Sequence, residues 1–102
     1  MKYGIPTDDG RTVSAVFGRA RSFAIYDEGM PGFSIVENEG ANSEHGAGTG
    51  AAAFLAEKGV GIVLAPEIGP KAAEALKAGG IETRSAMAGL ELATVISSLG
   101  SR

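Results

Sequence analysis

The sequence predicts an α/β fold, a five-stranded mixed sheet flanked by helices in the order β-β-β-α-β-α-β-α. Three observations lead there. The first third of the chain carries short β-rich runs broken by Gly and Pro, the pattern of antiparallel neighbours. The remainder alternates helical periodicity with strand-like runs, as parallel strands joined by right-handed crossovers do. One of those runs, "GVGIVLA", is apolar throughout, as a strand covered on both faces must be.

The elements follow in order. In "MKYGIP", Tyr3 and Ile5 alternate with Lys2 and Gly4, a strand ended by Pro6 and the turn-forming "TDDG". "SFAIYD" and "FSIVEN" are two further strands, and "EGMPG" between them suits a hairpin connection. Ala47 to Lys58 reads as a helix with Ala47, Ala51, Phe54 and Leu55 on one face and Gly59 closing its end. After "GVGIVLA", Pro70 fits the first turn of a second helix that stops near Gly79 and Gly80. "IETRS" is the weakest strand. Leu92, Val95, Ile96 and Leu99 fall at i, i+3, i+4 and i+7, an amphipathic helix closed by Gly100. An antiparallel start followed by this alternation predicts a sheet of the ribonuclease-H-like type.

With 102 residues, 44% hydrophobic and 21% charged, the chain reads as one soluble domain over residues 1–102, able to bury a core. A net charge of −3 argues against a general nucleic-acid or membrane-surface binder, which needs a basic face. No apolar run is long enough to span a bilayer and no leader pattern opens the sequence, so the expected location is cytoplasmic. The chain has no cysteine, which excludes disulfides, a thiolate nucleophile and any cluster held by its own thiolates.

Chemistry concentrates in "ANSEHGAGTGAAAF", Ala41 to Phe54. Gly46, Gly48 and Ala51 satisfy G-x-G-x-x-A, and Glu67 lies at a plausible distance for a ribose-binding acid. The context fails, because the preceding strand belongs to a hairpin and a loop separates Asn38 from Gly46. No Walker lysine follows either. What survives is a helix start: Asn42 or Ser43 as cap, Gly46 and Gly48 admitting a ligand to the backbone, and first-turn amides and dipole favouring an anion. Gly48 lies outside the apolar strands, so it is expected to tolerate a larger side chain without harm to the core. His45, the only histidine, stands at that start as a candidate metal ligand. Arg11, Arg19 and Arg21 form a local positive cluster able to steer a small anion. Asp8, Asp9 and Glu67 follow two strands expected to be neighbours, where paired carboxylates could hold magnesium for phosphodiester cleavage; "TDDG" is equally an ordinary turn.

Taken together, "FGRARSFAIYD", "GFSIVEN" with the following "HGAG" helix start, and "KGVGIVLAPEIGPKAAEALKAGGIE" resemble the dinitrogenase iron–molybdenum cofactor-binding family. The resemblance spans nearly the whole chain. It implies a ribonuclease-H-like sheet and a non-catalytic carrier of an anionic iron–molybdenum-type or other molybdenum-, iron- or copper-sulfur cluster. It also implies exchange with cluster-assembly or acceptor proteins. The implied site joins the loop after the first strand to the helix starts at the same edge. The "FGRA" motif falls on Phe17, Gly18, Arg19 and Ala20, and Val16 stands where many members have a histidine that is a candidate cluster ligand. His45 falls in a loop where other members also have histidine.

Two other functions compete with that reading. One is a regulatory or protein-interaction module that has lost cluster binding, motivated by Val16. The other is the magnesium-dependent nuclease. The oligomeric state is open, although "FSIVEN" or "IETRS" could be an exposed sheet edge that pairs between subunits.

Overall fold

The computed structural model describes residues 1–42 and 46–99. Its elements are β1 (Lys2–Thr7), β2 (Ser22–Asp27), β3 (Ser34–Glu37), α1 (Ala47–Glu57), β4 (Ile62–Ala65), α2 (Pro70–Ala78), β5 (Glu82–Ser85) and α3 (Leu92–Leu99). The five strands form one mixed sheet in the order β3-β2-β1-β4-β5. β1 pairs antiparallel with β2 and parallel with β4, β2 pairs antiparallel with β3, and β4 pairs parallel with β5. The α/β reading, the mixed sheet and the element order therefore hold.

Strand alternation sorts the core into two layers. On one face Phe23, Val63 and Ala65 meet Ala51, Ala52 and Leu55 of α1 and Ala72 and Leu76 of α2. On the other, Tyr3, Ile5, Ala24, Tyr26, Ile62 and Leu64 meet Leu92, Val95 and Ile96 of α3. β4 is buried on both faces, as its uninterrupted apolar run requires. Leu55, Leu76 and Leu92 are fully buried, so truncating any of them to Ala costs about 2–5 kcal/mol.

Both crossover helices stop by the same device. After α1, Gly59 adopts φ +79°, its N–H bonds the Ala56 carbonyl, and the Val60 N–H bonds the Leu55 carbonyl. After α2, Gly80 adopts φ +77°, its N–H bonds the Lys77 carbonyl, and the Ile81 N–H bonds the Leu76 carbonyl. These are Schellman endings, in which a left-handed glycine turns the chain back. Val60 and Ile81, the residues after each glycine, drop into the same core cluster as Leu55 and Leu76. The chain is thereby aimed into β4 and β5, and the starts of both helices come together at the opposite edge of the sheet.

Candidate functional site

At the carboxyl ends of β1 and β4 lies an open cleft with a volume of about 750 Å3. Its walls are the Ala15–Arg19 segment, the first turn of α1 at Ala47 and Gly48, and the start of α2 from Gly69 to Ala72, with Glu67 at the end of β4. In open α/β sheets this is where ligands bind, because two helix starts and the strand ends face one space.

The two helix starts share an unusual feature. The N-cap of α1 is Gly46, at φ +103°, and that of α2 is Gly69; among the described residues neither helix has a side-chain cap. Their cap carbonyls are used, accepting from Gly50 and Ala73. Among the described residues, no side chain satisfies the first-turn amides. These donors carry the positive end of each helix dipole, so an anion in the cleft would meet two of them. The expected cap Asn42 is exposed and does not serve, because the helix begins too far along the chain for its side chain to reach. The expected caps' other member, Ser43, and the candidate ligand His45 lie outside the described residues.

Close backbone contacts hold the cleft's shape. A Cβ added to Gly18 would sit 2.6 Å from the Gly48 nitrogen and 2.7 Å from its Cα. Gly18 therefore lies against the first turn of α1, and only glycine leaves that amide uncovered. Two residues further along α1, a Cβ on Gly40 would collide with the Gly50 carbonyl. Gly48 also faces α2, where an added Cβ would lie 2.8 Å from the Ala72 Cβ. The sequence-based expectation that Gly48 tolerates a larger side chain is thus wrong: this glycine lets α1 and α2 approach, and so brings their starts together.

The loop after β1 is built from its own polar groups. Asp9 Oδ1 accepts the N–H groups of Arg11 and Thr12, both at 2.8 Å, and the Thr12 hydroxyl donates to both carboxylate oxygens. Those backbone N–H groups hold the Asp9 pKa down at about 2, against an ordinary 3.8. Asp8 accepts the Ser14 hydroxyl at 2.8 Å and the Arg21 N–H at 2.9 Å. Neither aspartate lines the cleft beside Glu67. Among the described residues no three carboxylate, histidine or cysteine groups cluster as a metal site, so the magnesium site of the nuclease reading is not formed.

Phe17 and Gly18 reach the cleft in different ways. Phe17 is 3% exposed and its ring lies 5.5 Å from that of Phe23, so it anchors the loop to the core and forms the cleft's floor. Arg19 is exposed on the wall. Of the three arginines Arg11, Arg19 and Arg21, only Arg19 lines the cleft. The main chain of Arg11 accepts the Leu92 N–H, and the Arg21 main-chain N–H donates to Asp8. Val16 is 46% exposed on the rim.

Sequence reasoning missed two residues. Lys71 follows Pro70 in the first turn of α2 and adds a second cation to the wall; the sequence showed only a charge in a helix. Asn38, 6% exposed, donates from Nδ2 to the carbonyls of Gly18 and Ala20 at 3.0 and 2.9 Å and accepts from the Gly40 N–H at 3.1 Å. It ties the cleft loop to the segment that leads into α1.

Comparison with known proteins agrees with this architecture. A protein from Methanocaldococcus jannaschii described as uncharacterized is 36% identical over 89 residues, covering 84% of this chain and 75% of its own length. The apo form of the orange protein from Desulfovibrio gigas superposes with a TM-score of 0.85 at 30% identity, over 96% of this chain and 85% of that one. A NifB-like protein from Thermotoga, assigned to the DUF35 family, superposes with a TM-score of 0.77 at 32% identity, over 96% and 85% of the two chains. The family model described as "Dinitrogenase iron-molybdenum cofactor" matches residues 1–102, and the chain belongs to that family.

Proposed function

We propose that residues 1–102 form one binding domain of ribonuclease-H-like type whose cleft carries an anionic metal–sulfur cluster of iron–molybdenum or related type, as cargo and without catalysis. The observation that carries this reading is the convergence of two glycine-capped helix starts, without a side-chain cap among the described residues, on one cleft that also holds Arg19 and Lys71. Family membership supplies the class of cargo. The donor set fits a cluster that arrives with its own sulfide shell complete: backbone amides, a guanidinium and an ammonium hydrogen-bond to sulfide but do not ligate metal. Val16 stands where the resemblance places a histidine, and the chain has no cysteine, so the hold is electrostatic at the described residues. Glu67 opposes it and sets a limit on affinity. His45 is the remaining candidate for a direct metal bond, with Asn42, Gly46 and Arg21 in supporting positions outside the cleft wall.

Reconstitution with molybdate, sulfide and iron or copper, followed by metal analysis and visible spectroscopy, tests this. Stoichiometric metal with a sulfide-to-metal charge-transfer band is expected, reduced in the Arg19→Ala, Lys71→Ala double variant. A colourless protein without metal under every condition would sink the carrier reading. The exposed Val16 on the rim favours an interaction module as second reading. That reading predicts a partner captured equally by the metal-free protein and by His45→Ala.

A further inference from the structure

The sheet ends on β5, and all four of its residues are exposed. The hydrogen-bond parity of this strand is fixed by its neighbour. Glu82 donates its N–H to Gly61 and Ala86 donates to Ala65, so the even-numbered residues turn their backbone groups toward β4. Thr83 therefore turns its N–H and C=O outward, along the open edge.

We propose that this edge pairs with a second copy of the chain, antiparallel and centred on Thr83, to make one continuous ten-stranded sheet. The charge order selects that register. A two-fold axis through Thr83 lets the two copies of Thr83 exchange both backbone hydrogen bonds. The same axis puts Glu82 opposite the partner subunit's Arg84, and Arg84 opposite the partner subunit's Glu82. Those flanking positions are non-hydrogen-bonded pairs, where side chains stand closest and opposite charges stabilise. Within one chain, Arg84 Nε already donates to Glu82 Oε2 at 2.6 Å, so both groups sit on the same face and at the same edge. Dimer formation would extend this pair into a four-charge network.

The layer above the sheet fits as well. α2 crosses from β4 to β5 and covers them through Ala72 and Leu76. Two strand spacings separate it from the partner's α2, roughly 10 Å, which is the usual distance for packed helices. The exposed surface of α2 carries both signs, Glu74 and Lys77. The opposite edge, β3, is a poorer candidate, because its only charge is Glu37 and Glu39 follows it. The dimer leaves both clefts open at opposite ends of the joint sheet, since no cleft residue belongs to β5.

Sedimentation equilibrium across concentrations, without any metal, tests this independently of the cleft. Wild type is expected to show a monomer–dimer equilibrium. Thr83→Pro removes only an outward N–H and is expected to weaken dimerisation at least tenfold, roughly 1.4 kcal/mol. Arg84→Glu and Glu82→Arg, each alone, are expected to be monomeric, and an equimolar mixture of the two to dimerise, because mixing restores opposite signs at both paired positions. That rescue also shows that each variant folds. A wild type that stays monomeric up to about 1 mM overturns the proposal, at the weak end of specific association. So does a dimer that survives Thr83→Pro and both charge reversals, which would place the contact on β3 or another face.

Discussion

The loop after β1 and the two helix starts stand at the same edge of the sheet, and they treat their polar groups in opposite ways. Between Asp8 and Arg21 the polar groups are satisfied within the protein: Asp9 caps Arg11 and Thr12, Asp8 joins Ser14 to Arg21, and Asn38, from beyond β3, closes the carbonyls of Gly18 and Ala20. At α1 and α2 the caps are glycines, with no side-chain acceptor among the described residues. A polar group satisfied internally has little left for a ligand, whereas an uncapped amide gains most from one. The two carboxylates most conspicuous in the sequence are therefore used within the fold, and the proposed binding site rests on backbone that the sequence marks only with glycine.

Removing the loop's internal bonds should break its half of the comparison most severely. Asn38→Ala leaves two carbonyls and one N–H without partners in a buried setting and should destabilise the protein by about 2–4 kcal/mol in chemical denaturation. Gly18→Ala and Gly48→Val act on the seam between the two regions. In both, the added Cβ would fall within 3.0 Å of its neighbour and force the contact apart, so each should cost about 1–3 kcal/mol and weaken anion binding together with stability. Unchanged melting of either variant would show that the seam is looser than the close approach implies.

Charge changes on the cleft wall sharpen the other half. Lys71→Glu should weaken binding of a thiometallate anion at least tenfold, about 1.4 kcal/mol, while moving stability by less than about 0.5 kcal/mol. Glu67→Gln should tighten binding. Isothermal titration of both variants beside wild type checks the opposite signs. The smallest effect belongs to Asp9. Its folded pKa is depressed to about 2 from 3.8, so its contribution to stability is full above about pH 4 and disappears as pH falls through 2. Asp9→Asn should therefore differ from wild type in melting temperature near neutrality and converge with it at the acid end.

Elements defined by their own periodicity were legible in the sequence. The continuous apolar run of β4 and the i, i+3, i+4 spacing of Leu92, Val95 and Ile96 state their burial directly. The site was legible in outline only. Glycine looks the same in a sequence whether it supplies a left-handed cap, as at Gly46, or lets a neighbouring helix approach, as at Gly48. Asn38 could not be singled out because its partners, the carbonyls of Gly18 and Ala20, are joined to it only by folding. Spacing in the sequence likewise could not tell which of Arg11, Arg19 and Arg21 lines the cleft; only Arg19 does.

The central claim is that the cleft binds anions through its two glycine-capped helix starts. Amide chemical-shift mapping during a titration with tetrathiomolybdate tests it most directly. The account predicts saturable shifts concentrated at Ala47 to Thr49 and at Lys71 and Ala72, with smaller ones at Gly18 and Arg19. Shifts confined to the Arg11–Ser14 loop or to β5, or none at all at these helix starts, would contradict it.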